Sequence, residues 1–259
     1  MAEISGFAAK VRDRLPFTRW SLLRMALSNR SLERTGQVGD GRERALLDYV
    51  RAHATEGDPD SVLAVIDDFA RNHTILMNVG DEKGLLLDAA IRRADPALLL
   101  ELGAYVGYSA VRTGRAMPAT ARLVSVEASA ANAEIASAVI AHAGLADRVH
   151  VVLGKIGDGG QTVRRLTEEY GFGSGALDFV FIDHLKSAYL PDLNTMLDAG
   201  WLHPGTVVVA DNVKVPGAPD YRRYMHEREG GSWRTTEHKT HVEYQSLITD
   251  LVLESEYLG

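Results

Sequence analysis

The 259-residue chain contains no cysteine. That excludes disulfides, cysteine-ligated zinc, iron–sulfur clusters and a thiol nucleophile, and it agrees with a reducing compartment. No apolar run reaches the roughly 18–20 residues of a membrane span. The opening stretch, MAEISGFAAKVRDRLPF, lacks the continuous apolar segment of a secretory signal. A cytoplasmic protein is therefore expected. No long basic tract offsets the formal charge of −7, so general binding to nucleic acid is not expected. What is present is an ordinary globular composition, with 46% hydrophobic residues, on a length that suits one large domain or two small ones.

The charge is unevenly spread. Residues 1–40 carry +3 and the remaining 219 carry −10. Within the first part, Trp20, Leu23 and Leu27 recur at helical spacing beside Arg19, Arg24 and Arg30. Residues 1–37 read as an extension. It is either a basic amphipathic helix making peripheral membrane contact or a helix packed on the domain or covering its site, the commoner fate of such a pattern. Residues 38–259 read as one catalytic domain.

Helical patterns run from Glu43 to about His53, then from a cap at Asp60 or Ser61 through Val62, Val65, Ile66 and Phe69, then from Gly84 to Arg93. The segment Ala97–Leu102 is continuously apolar until Glu101, as in a central parallel strand buried on both faces. Further strands are expected at Leu123–Glu127, Val149–Leu153, Leu177–Ile182 and Thr206–Ala210, separated by helical patterns. Repeated β–α alternation implies an α/β fold with a mostly parallel sheet and helices on both faces. Trp233–His241 and Ser246–Leu253 are expected to close it as an antiparallel pair.

In such sheets ligands sit beyond the carboxyl ends of the strands. The first strand delivers Glu101-Leu102-Gly103-Ala104-Tyr105-Val106-Gly107, and the second ends in Glu127. An acidic residue there can accept hydrogen bonds from ribose hydroxyls. Tyr105 replaces the second glycine of the G-x-G-x-x-G fingerprint, the one that admits a pyrophosphate. A cofactor with an adenosine but no pyrophosphate fits better. S-adenosylmethionine qualifies, its ribose on Glu127 and its amino-acid portion beside Glu101 and Gly103. A nicotinamide-dependent oxidoreductase is the competing enzyme class, and a non-catalytic cofactor-binding module the competing non-enzyme.

The fourth strand ends in Asp183-His184-Leu185-Lys186 and the fifth in Asp211-Asn212. Either aspartate alone reads as a solvated strand end or a helix cap. Together, at adjacent strand ends, Asp183, Asp211 and Asn212 supply three hard oxygens suited to Mg²⁺. Lys186 lies within reach of a metal-bound oxygen, and like-charge repulsion near a divalent ion favours a lysine's neutral, basic form. His184 either packs beside the cofactor or is a polar loop residue.

Longer motifs then match a known family. They are Met77-Asn78-Val79-Gly80-Asp81, Leu100 to Arg112, Ile182 to Lys186, Tyr189-Leu190-Pro191-Asp192, Ala210-Asp211-Asn212-Val213 and Pro216 to Asp220. From about Gly39 to Tyr257 the chain resembles the catechol O-methyltransferases, which depend on Mg²⁺ and S-adenosylmethionine. The Asp-His-x-Lys form separates it from the related caffeoyl-coenzyme A type, with Asp-x-Asp-Lys. The resemblance implies a Rossmann-like methyltransferase fold with a seven-stranded sheet and an antiparallel closing strand. It implies Asp183, Asp211 and Asn212 as Mg²⁺ ligands, Lys186 as general base, and Glu243 as acceptor for the second hydroxyl of a catechol-type substrate. It places Met77, Asn78, Val79, Glu101, Gly103, Tyr105, Ser109, Glu127, Ala128, Gly154, Asp183 and His184 at the cofactor.

Two departures stand out. The family's two tryptophan walls correspond here to Ile75 and Leu185, while the third wall, Pro216, is kept. Each lost aromatic pair removes about 0.5–1.5 kcal/mol of stacking, so a wider and less selective slot is expected. Near the adenine, the family's Ser-Gln is replaced by Ile156-Gly157.

Overall fold

The computed structural model describes residues 35–259, and the amphipathic stretch around Trp20–Leu27 lies outside them. Three helices come first: α1 (Arg42–His53), α2 (Pro59–Asn72) and α3 (Gly80–Ala94). The alternation then runs β1 (Leu98–Leu102), α4 (Tyr108–Ala116), β2 (Arg122–Glu127), α5 (Ala130–His142), β3 (Val149–Leu153), α6 (Gln161–Tyr170) and β4 (Leu177–Ile182). It continues through a 3₁₀ turn (Lys186–Ala188), α7 (Tyr189–Asp198), β5 (Leu202–Ala210), an irregular turn (Val213–Gly217) and α8 (Pro219–Glu227), ending with β6 (Trp233–His241) and β7 (Thr249–Tyr257).

One seven-stranded sheet has the order β3-β2-β1-β4-β5-β7-β6. All pairs are parallel except those made by β7, which runs antiparallel to both β5 and β6. The expected closing pair is present, with the later strand inserted next to β5 and the earlier one at the edge. Strand side chains alternate between two cores. Leu99, Leu123, Val149, Phe179 and Val209 face helices α1 to α5. Leu98, Leu100, Leu102, Val124, Val180 and Val208 face α6, α7 and α8.

Several boundaries differ from the periodicity, including the start of β5 at Leu202 and the end of β7 at Tyr257. Helix α2 is capped by Asp58, not by Asp60 or Ser61: its carboxylate accepts from the amides of both, and Pro59 occupies the first turn. Helix α3 starts at Gly80, four residues early. Strand β7 starts at Thr249 because a turn claims the residues expected to begin it. There the Gln245 side chain donates to the carbonyls of Val242 and Ile248 and accepts from the amides of Leu247 and Ile248.

The face of α3 is set by a buried ion pair. The Arg112 guanidinium grips both oxygens of Asp88, at 3.1 and 2.9 Å, and donates to the Tyr108 hydroxyl. It lies against Gly84, where a Cβ would collide with Arg112 Nε and Cζ. Gly84→Ala gains the helix propensity of alanine, about 1 kcal/mol, but displaces a guanidinium that three hydrogen bonds hold. We expect a net loss of about 1–3 kcal/mol in urea unfolding. A variant about 1 kcal/mol more stable than the parent would show that the ion pair yields freely.

Candidate active site

The carboxyl ends of β2, β1, β4 and β5 form a stepped edge. Parallel register puts Leu102 beside Ile182 and Ile182 beside Ala210. One residue further, the amides of Gly103, Asp183 and Asp211 donate to the carbonyls of Val126, Leu102 and Ile182. Strand order reverses between β1 and β4, where open sheets of this kind bind their ligands.

Gly103 has φ +100°, and a Cβ there would strike the carbonyl of Asp183, so only glycine lets these strand ends approach. Glu101 is fully buried. Its Oε2 accepts from the Ser125 hydroxyl, its cross-strand partner, while its Oε1 has no protein partner. Burial pushes its pKa up to about 7, against hydrogen bonds from Ser109 and Ser125 that favour the carboxylate. Glu127, also buried, accepts from the Ser129 amide on Oε1 (2.8 Å) and from the Tyr105 amide on Oε2 (2.9 Å). Burial raises its pKa, and these backbone bonds oppose the rise. Tyr105 is held at φ +46°, with its hydroxyl on Glu43. Ser109 lies in the first turn of α4. Asn78 and Val79 lead into α3, both buried, with Met77 half-buried before them and one buried donor of Asn78 unpaired. Ala128 is exposed after β2, and Gly154, after β3, abuts Thr162.

Asp183, Lys186, Asp211 and Asn212 converge. Lys186 Nζ donates to Asp183 Oδ1 at 2.9 Å, to Asn212 Oδ1 at 3.2 Å and to the Tyr189 hydroxyl. Its ammonium is thus the cation that two of the three candidate ligand oxygens hold. Asp211 is fully buried and its Oδ2 lacks any partner. Burial and the nearby charge of Asp183 push its carboxyl well above the usual range. Asp183 is also raised, by burial, against the pull of Lys186. An orphaned, desolvated carboxylate oxygen beside two further oxygens is a donor set that fits a hard divalent ion. His184 contacts Asp192 through Nε2 at 2.9 Å and stacks on Tyr189; its buried Nδ1 has no protein partner.

Two members of this cluster escaped the sequence reading. Lys83, on the first turns of α3 and 2% exposed, contacts Asp211 Oδ1 (2.8 Å), Glu243 Oε1 (2.7 Å) and Asp250 Oδ2 (2.7 Å). Burial would lower its ammonium, but the charges of Asp211 and Glu243 more than reverse that and raise it. Asp250 also accepts from Asn212 Nδ2 (2.9 Å) and from the Val215 amide (2.8 Å). A lysine just ahead of a helical pattern expected to start at Gly84 gives no sign that it faces inward. The only signal was its position after the Met77–Asp81 motif.

Of the three wall positions, Ile75 is buried, and its carbonyl accepts from the Arg42 guanidinium. Leu185 is 65% exposed beside Lys186, and Pro216 is exposed in the turn after β5. Ile156 is buried and Gly157 exposed, so this pair presents no side-chain hydrogen-bonding group.

The fold is shared with solved methyltransferases. An O-methyltransferase from Bacillus cereus in complex with SAH matches with a TM-score of 0.60, over 77% of this chain and 90% of that one, at 24% identity. Sequence carries the assignment further. The O-methyltransferase family pattern matches residues 54–220. A probable O-methyltransferase of Mycobacterium tuberculosis is 63% identical over 235 residues, 91% of this chain and 100% of that one. The chain belongs to the O-methyltransferase family. Catechol O-methyltransferase B of Danio rerio is 44% identical over 218 residues, 84% of this chain and 80% of that one. No helix among the described residues is long and apolar enough to cross a membrane.

The raised Glu101 pKa carries a stability consequence. The folded state holds that proton more tightly than the unfolded chain, so its contribution falls as pH rises from about 4.5 to about 7. In ligand-free protein, Glu101→Gln should flatten this part of the thermal-midpoint profile, leaving the variant relatively more stable at pH 8 than at pH 5. Parallel profiles for parent and variant would contradict the assignment.

Proposed function

We propose that the protein transfers a methyl group from S-adenosylmethionine to one hydroxyl of a catechol-type substrate, with Mg²⁺ bound by Asp183, Asp211 and Asn212. The carrying observation is that Lys186 joins Asp183 and Asn212 while the adjacent Asp211 keeps a buried, unpartnered oxygen. Likeness to catechol O-methyltransferases over most of the chain supports the same substrate class. S-adenosylmethionine supplies an electrophilic methyl on a sulfonium, and Mg²⁺ supplies positive charge that favours ionised vicinal oxygens.

The chain's own residues do the rest. Glu127 receives the ribose hydroxyls, and the unpartnered Glu101 Oε1 receives the ammonium of the amino-acid portion. Val79, Gly103, Tyr105 and Ser109 shape the cradle, while Met77, Asn78, Ala128, Gly154 and His184 border it. The charge of a bound divalent ion would favour the neutral amine of Lys186 over the ammonium, and that amine takes the proton of the reacting hydroxyl. Glu243 accepts a hydrogen bond from the second hydroxyl. Ile75, Leu185 and Pro216 flank the ring, and aliphatic groups in place of two aromatic ones leave room for substituted catechols. Alignment of oxygen, carbon and sulfur supplies the remaining acceleration. The nicotinamide alternative gains no support from a strand end with Tyr105 at the pyrophosphate position and membership of a methyltransferase family.

An acceptor panel of small and bulky catechols, run with S-adenosylmethionine, tests this reading. Turnover should vanish with EDTA and return with Mg²⁺. Lys186→Ala should lower kcat about 10²–10⁴-fold while cofactor binding persists. Undiminished turnover in EDTA, or an active Lys186→Ala variant, would overturn it.

A further inference from the structure

Lys83 is a buried cation that the proposed chemistry does not use. It reaches three carboxylates from three separate segments, and the oxygens it takes follow a pattern. At Asp211 it takes Oδ1, which also accepts the Asn212 amide at 2.6 Å, and Oδ2 is left buried without a partner. At Glu243 it takes Oε1, which also accepts from Asn212 Nδ2 at 3.0 Å. Among the described residues, no hydrogen bond reaches Glu243 Oε2. Asp250 anchors Lys83 and leaves Oδ1 for the Val215 amide. The Asn212 amide joins the same web. Its NH₂ is spent on Glu243 and Asp250, which turns Oδ1 toward Lys186 and Asp183.

We infer that Lys83 is a positioning residue that fixes the rotation of two carboxylates at once. It presents Asp211 Oδ2 to the divalent ion and Glu243 Oε2 to the second hydroxyl of the acceptor. A second consequence follows from charge. Asp211, Glu243 and Asp250 place one oxygen each within 4.8 Å of one another, an arrangement able to hold a metal ion. Lys83 fills that position with a tethered ammonium, so the divalent ion is confined to the neighbouring oxygens of Asp183, Asp211 and Asn212. A flexible stem with one compact charge suits this task. The planar fork of arginine cannot bond three converging oxygens in the same way.

This inference rests on the proposed metal-dependent reaction, and the experiment separates the two. Full-length wild-type protein, Lys83→Arg and Lys83→Met are compared. The readouts are thermal midpoint, S-adenosylmethionine affinity, Mn²⁺ stoichiometry by electron paramagnetic resonance, and kcat and KM for a catechol. Lys83→Arg keeps the charge that folding requires. We expect a wild-type-like midpoint and cofactor affinity, but a catechol KM raised about 10-fold or more, as for the loss of a charge-assisted hydrogen bond. Lys83→Met opens the carboxylate cluster, and we expect two Mn²⁺ per chain where the wild type takes one. An unchanged KM in a folded Lys83→Arg would show that Lys83 is only a structural counter-charge. A single Mn²⁺ in folded Lys83→Met would overturn the exclusion of the second ion. If Lys83→Met does not fold, the KM of Lys83→Arg decides the positioning role. Wild-type protein that neither binds Mn²⁺ nor methylates a catechol would instead refute the proposed function.

Discussion

Buried negative charge at the carboxyl edge of the sheet is the constraint on which the rest of this structure depends. Glu101, Glu127, Asp183, Asp211, Glu243 and Asp250 all converge there, largely out of water, and the ammonium groups of Lys83 and Lys186 face only four of them. Desolvated carboxylates are costly even where a cation faces them. Their upward pKa shifts at Glu101, Glu127, Asp183 and Asp211 express that cost. The proposed ligands carry the missing positive charge: an ammonium and a sulfonium on the cofactor, and a divalent metal. In the proposed reaction, cations complete this cleft, and its electrostatics and its chemistry then have one cause.

The scaffold explains how so much charge is tolerated. Parallel strands end in register, so a residue placed one past each strand shares one edge while its backbone amide remains bonded to the neighbouring strand. Two apolar cores on either side of the sheet hold these ends rigid. Helix α3 contributes from outside the alternation, bringing Lys83 to the edge near β7, the one antiparallel strand among the described residues, which brings Asp250. The side-chain-closed turn around Gln245 then carries Glu243 back over the same spot, and Tyr244 ties it to Asp67 of α2 at 2.9 Å.

How much of this was legible in the sequence follows from the range of each signal. Short, largely apolar runs alternating with helical patterns located β1 to β4, and strand-end acids stood out because such positions are otherwise apolar. Glu101, Glu127, Asp183 and Asp211 were readable for that reason. Asp58 was missed as a cap because two later residues were equally suited chemically, and Pro59 decides among them. The start of β7 was misplaced because Gln245 closes a turn with side-chain bonds that have no periodicity. Lys83 and Asp250 were missed because their partners lie more than 120 residues away from Lys83 in sequence, and nothing local marks a lysine as buried. Glu243 was found only through the family resemblance.

In the proposed reaction this acidic edge is completed by a divalent ion on Asp211 and, separately, by the cofactor. The most direct measurement is the thermal midpoint of wild type and Asp211→Asn with Mn²⁺ and S-adenosylmethionine added singly. Both ligands should raise the wild-type midpoint, and Asp211→Asn should keep the cofactor response while losing the Mn²⁺ response. A wild-type midpoint indifferent to Mn²⁺, or an equal Mn²⁺ response in both proteins, would contradict it.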